Sequence, residues 1–240
     1  MMNAMKNIIF ISCIGLSAII APASYAEMNS KSSTAVEKNT TLDQQAVNKK
    51  KAKKKRVRRA QTMRPKIFKK LDKVRELADS KDYDGAASVL ESLSKVKRNS
   101  YEVAMTWNMH AYMHFNQENY AAAAQAYEKI IAGKRVPESL MQTTLYSLAK
   151  LYLIQQEYSS ALATLNSWFE IVEKPNAQSY VLRAQVYYQL EQYQQALPDV
   201  KQAISITLAQ GKKPRENWLL MERAVYFQHK DYVSMERCLK

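Results

Sequence analysis

Two cysteines, four glycines and three histidines among 240 residues exclude much of the chemistry a chain this long can host. The cysteines, Cys13 and Cys238, are too few for a disulfide framework, so stability must come from a packed core. No glycine-rich loop is present to cradle a phosphate. His110 and His114 stand four apart, which is metal-ligand spacing, but Ala111 and Tyr112 follow His110 and no zinc-protease motif forms. The third histidine, His229, is far away in sequence. Both His110 and His114 fall where helix-packing residues belong, so the sequence favours core histidines over metal ligands. Ser, His and Asp occur in no local pattern that arranges a triad. The expectation is a protein that is not an enzyme and has no metal or cofactor.

A long apolar run is also missing. The longest, Ile8–Ala21, has fourteen residues, short of the roughly 20 that a membrane-crossing helix needs. It suits a signal-peptide core: Lys6 precedes it, Pro22 ends it, and Ser24-Tyr25-Ala26 offers small residues where a peptidase reads. The sequence therefore predicts a signal peptide over 1–26, cleavage after Ala26 and a periplasmic mature chain. An uncleaved anchor is the alternative. A lipoprotein through Cys13 is disfavoured, because Phe10-Ile11-Ser12 is a poor lead-in. Cys238 is then the one remaining thiol, either inert and half-buried or available for an intermolecular disulfide.

The net charge of +14 is concentrated. Lys49, Lys50, Lys51, Lys53, Lys54, Lys55, Arg56, Arg58 and Arg59 crowd into eleven positions of a segment, 27–62, that has no aromatic residue. Such a segment buries too little to offset the entropy of ordering it, and the like charges repel. It reads as a disordered basic linker. A nucleic-acid arm, a tether to an anionic lipid surface and a plain spacer all fit it. No interleaved ring is present to stack on bases.

Beyond Pro65 the texture is periodic. "SKDYDGAASVL", "QENYAAAAQAY", "QQEYSSALATL", "LEQYQQALPDV" and "QHKDYVSMERCL" align on Tyr83, Tyr120, Tyr158, Tyr193 and Tyr232, at spacings of 37, 38, 35 and 39. In the first four an alanine follows three places later (Ala86, Ala123, Ala161, Ala196) and a large residue four further on (Leu90, Tyr127, Leu165, Val200). Before the tyrosines, "WNMHAYMHF", "LYSLAKLY" and "YVLRAQVYY" carry helix-period spacings that include Ala111, Ala149 and Ala184. Two antiparallel helices approach closely only where a small side chain sits at the crossing. The alanines therefore predict paired helices, and the period predicts a stack of pairs that bury one another. Pro65, Pro137, Pro175 and Pro214 fall at predicted helix starts or inter-unit turns; Pro198 falls near the first turn of a second helix.

These residues resemble the tetratricopeptide repeat, whose pattern is W-x2-L-G-x2-Y followed by A-x3-F. The resemblance covers about 63–240. It implies an all-α, right-handed α-solenoid of antiparallel helix pairs, about five units with the last incomplete. "RRAQTMRPKIFKKL", "NSYEVAM", "VPESLMQTTLYSLAKLY", "LNSWF" and "KKPRENWLLMERAVYF" further resemble exported proteobacterial repeat proteins encoded beside TonB-type energy-transducing complexes. That resemblance implies a periplasmic scaffold with an envelope protein as partner. Lys49–Lys55 departs from the group, as does the stop at Lys240, which leaves an apolar end around Val233, Met235 and Leu239 open to self-association.

In such a stack the first helix of each pair lines a concave groove. Its inward residues are Asn108, Tyr112 and Phe115, then Tyr146, Lys150 and Leu153, then Gln185 and Tyr188, then Leu220 and Phe227. Rings with amides and an ammonium suit an extended peptide or helix from a partner. Burial of several rings between adjacent units is the alternative. Asn108 and Tyr112 stand where a chaperone-carboxylate clamp would have Lys and Asn, which argues against that use. The sequence thus favours a groove-binding scaffold. Competing readings are an anionic-surface or nucleic-acid binder acting through the tail, and a secreted effector. Nucleic acid is disfavoured for an exported chain.

Overall fold

The computed structural model describes residues 62–237. The expected signal peptide, the basic run Lys49–Arg59 and Cys238 lie outside them. The described residues form ten helices and no strand: α1 (Pro65–Asp79), α2 (Tyr83–Ser94), α3 (Ser100–Asn116), α4 (Tyr120–Ile131), α5 (Glu138–Ile154), α6 (Tyr158–Ile171), α7 (Ala177–Gln189), α8 (Tyr193–Ala209), α9 (Glu216–Gln228) and α10 (Tyr232–Arg237). Each aligned tyrosine is the first residue of a second helix. Local chemistry explains the starts. Asp82, Asn119 and Asn176 side chains accept from the third backbone N–H beyond them, Asn99 and Glu102 form a capping box, and Pro65 opens α1. Pro198 sits inside α8, near its start.

Helices pair as hairpins, and each pair packs on the next. Ala86, Ala123, Ala161 and Ala196 of the second helices and Ala111, Ala149 and Ala184 of the first are all fully buried. The wedges Leu90, Tyr127, Leu165 and Val200 are buried with them. The core is segmented in the way a stack requires: one cluster spans α1 to α5, a second bridges α5 to α7, and a third joins α7 to α9.

The α6–α7 junction is held by a cation as well as by apolar contact. The Arg183 guanidinium of α7 lies 3.7 Å from the Phe169 ring centroid of α6. Its Nε and Nη2 donate to both oxygens of Asp199 on α8, at 2.7 and 2.8 Å. Arg183→Lys keeps the charge but loses the planar fork and the stacking, so a loss of about 1–2 kcal/mol in urea unfolding is expected. An unchanged midpoint would show that neither the fork nor the stacking holds the junction.

Short hairpin turns end the first helices. Lys81, Glu118, Gln156, Glu191 and Lys230 each adopt a left-handed conformation, φ 58° to 63°. The residue after each donates its N–H to a carbonyl five residues back (Asp82 to Leu77, Asn119 to His114, Glu157 to Tyr152, Gln192 to Tyr187, Asp231 to Tyr226). This is the Schellman closure, which most often uses glycine at the left-handed position. At the far end of the described chain Val233 is exposed, while Met235 is half-buried.

Candidate functional site

Offsets of four and three put Asn108, Tyr112 and Phe115 on one face of α3. All three are half-buried. The Tyr112 hydroxyl donates to the Asp79 carboxylate at the end of α1, and burial together with that carboxylate holds the phenol above its ordinary value. Phe115 packs on Tyr120 with centroids 5.6 Å apart. This face therefore joins neighbouring units while keeping part of its surface open.

Tyr146 and Lys150, one turn apart on α5, are brought together: Lys150 Nζ is 4.7 Å from the Tyr146 ring centroid. Burial pushes the Tyr146 hydroxyl up to about 12 and holds the Lys150 ammonium below its ordinary value. Among the described residues no carboxylate pairs with Lys150. A ring face contributes about 0.5–2 kcal/mol to a cation, and it does not restore the water that burial removes.

Gln185 and Tyr188 are placed differently from the sequence expectation. They are 4% and 5% exposed, and Tyr188 belongs to the core between α7 and α9. Leu153 is buried too. Side chains so enclosed offer no surface to a partner. Phe227 is 52% exposed, with its ring 6.0 Å from Tyr232, and Leu220 is exposed as well. Sequence reasoning did not find the ring series Tyr146, Trp168, Phe169 and Tyr180, whose successive centroids lie 5.1 to 5.2 Å apart from α5 to α7. "LNSWF" was its only local sign, because rings from three helices share no periodicity.

His110 lies between Trp107, whose ring is tilted to it at 4.9 Å, and His114, stacked at 6.4 Å, and burial lowers its imidazole to about 4. It is neutral at pH 7. Among the described residues no group of three or more His, Cys, Asp or Glu side chains could hold a metal ion.

Family models described as tetratricopeptide repeat match residues 71–139 and 177–209. Solved structures with the same fold include MamA residues 41 to the end from Desulfovibrio magneticus RS-1, at 13% identity and TM-score 0.56, covering 74% of this chain and 93% of that one. A Podosopora anserina kinesin-light-chain protein with nearly identical TPR-like repeats is 16% identical, with TM-score 0.56 and coverage of 72% and 92%. The apo form of RapI is 17% identical with TM-score 0.59; 72% of this chain matches 51% of that one. At these identities the likeness concerns the fold. A comparison with curated protein sequences finds no match. Residues 71–139 and 177–209 therefore match the tetratricopeptide repeat, and the described residues stack in an all-helical solenoid of the same fold as these structures.

Proposed function

We propose that this chain is a non-enzymatic, exported scaffold that binds another envelope protein through the first-helix face of α3 and α5. The resemblance to repeat proteins encoded beside TonB-type complexes points to such a complex as the partner. The observation that carries the reading is Lys150: a half-buried ammonium over Tyr146, with no carboxylate partner among the described residues. An acidic group of a partner polypeptide would complete it.

The test is a photo-crosslinking residue placed at Tyr112 or at Tyr146 in the native bacterium, with position 88 on α2 as control. Specific capture of an envelope protein from 112 and 146, loss of that capture in Lys150→Glu, and a mature N-terminus at Glu27 are the expected results. Retention of residues 1–26, or equal capture from position 88, would overturn the reading.

A further inference from the structure

A stack of antiparallel pairs has two edges, and its turns sort between them. The turns inside pairs lie on one edge and the linkers between pairs on the other. The inside turns carry Asp82, Glu118, Glu157, Glu191 and Asp231 against Lys81 and Lys230. The linkers are opposite in sign. Residues 95–99 hold Lys95, Lys97 and Arg98, and residues 132–137 hold Lys134 and Arg135. Residues 172–176 hold Lys174 with Glu173, and residues 210–215 hold Lys212, Lys213 and Arg215. Every one of these cations except Arg98 is exposed. Acids near this edge are fewer than the cations. Glu91 pairs with Lys95 at 2.8 Å, Glu170 lies exposed in the last turn of α6, Glu138 and Glu216 open α5 and α9, and the buried Glu102 is taken by Arg64.

Helix dipoles do not create this polarity. Each edge gathers N-termini of one helix of the pair and C-termini of the other, so their fields largely cancel. The charge resides in the linker side chains. Helix α1 also begins at the basic edge, and the sequence places Lys49–Arg59 just before it.

The edge holds a cavity of about 180 Å³ lined by Arg98, Lys129 and Lys134, with a floor that includes Val103, Ile130 and Val136. Arg98 Nε is shielded from solvent and has no acceptor among the described residues. Cations over an apolar floor fit a phosphate with an organic root. The space is below the roughly 300 Å³ of a usual small-molecule pocket and suits a headgroup. The four linkers contain no Phe, Tyr or Trp on which bases could stack.

We propose that the linker edge of the folded repeats docks on an anionic phospholipid surface, so that the stack stands edge-on at the bilayer with its first-helix faces free. Arg98, Lys129 and Lys134 take a lipid phosphate at that edge.

The test is flotation of the full chain with phosphatidylcholine vesicles, with and without phosphatidylglycerol. Lys97→Glu, Lys134→Glu, Lys212→Glu and Lys213→Glu together, with residues 49–59 intact, should weaken binding to the anionic vesicles by more than about tenfold. Circular dichroism checks that the quadruple variant stays helical. Glu118→Lys with Glu157→Lys raises the net charge by the opposite edge and should leave binding unchanged; tighter binding would mean that bulk charge, not the edge, decides. Wild-type flotation of the quadruple variant overturns the proposal in favour of the tail. Displacement of the vesicles by a DNA oligonucleotide at lower concentration overturns it in favour of nucleic acid.

Discussion

Glu102→Ala is expected to lower stability at neutral pH by about 2–4 kcal/mol. Glu102 is fully buried and all its acceptor capacity is used. Oε1 accepts from the Arg64 backbone N–H at 3.0 Å and from Arg64 Nε at 2.9 Å. Oε2 accepts from Arg64 Nη2 at 2.8 Å and from the Asn99 backbone N–H at 3.0 Å. One carboxylate thus satisfies the residue before α1, the capping residue of α3 and a guanidinium. Breaking a fully buried pair costs about 3–5 kcal/mol, whereas an exposed pair contributes about 0–1. The Arg64 side chain is 53% exposed and can turn to water, but the two backbone N–H groups cannot follow it, so an intermediate loss is expected.

Acid gives an independent check on the same group. The hydrogen bond from the Arg64 side chain, helped by the two backbone N–H groups, holds the Glu102 carboxyl at about 2 against an ordinary 4.5; burial opposes this. A folded-state value below the unfolded one means that the contribution is complete above 4.5 and is lost as pH falls towards 2. The stability difference between wild type and Glu102→Ala should therefore shrink across that window. His110, held at about 4 by burial, destabilises both proteins alike as pH drops below 6.5 and cancels in the difference. A gap that stays constant to pH 3 would show that Glu102 acts through packing alone.

What the sequence could reveal follows the range of each interaction. The helix pairs were legible because their determinants are local and repeated. A tyrosine, an alanine three places on and a large residue four beyond that recur in four units, and all four alanines are fully buried. The inward positions were only partly legible. Asn108 and Gln185 look alike in sequence, yet Gln185 is buried and Asn108 is half-buried. Coverage depends on how closely successive pairs approach, which no single helix encodes. Glu102 carried no local sign of its role, because its partner Arg64 lies 38 residues away. The basic edge escaped for a different reason. Its cations are scattered through four linkers and become one surface only when the pairs stack.

The left-handed turns identify where this chain carries avoidable strain. Replacing Lys81, Glu118 and Gln156 together with glycine should raise stability by about 2–3 kcal/mol. A left-handed L-residue costs roughly 1–2 kcal/mol, and glycine returns about 0.4–1 of that through its freer unfolded chain. The chain supplies its own reference. Gly211, at φ 69°, makes the same closure after α8, with Lys212 N–H donating to the Thr207 carbonyl at 3.1 Å. At Lys81, Glu118 and Gln156 the side chains are exposed, and losing one lysine and one glutamate leaves the net charge unchanged. The sites belong to three separate units, so their effects should add. For a domain of this size the gain corresponds to a melting midpoint about 5 °C or more higher. Alanine at the same three positions removes the same side chains but keeps a Cβ in the left-handed region, so it should give no gain. Equal stabilisation by alanine and glycine would locate the effect in the lost side chains. Stabilisation by glycine alone would locate it in the backbone, and would show that these hairpins close because the stacked pairs hold them closed.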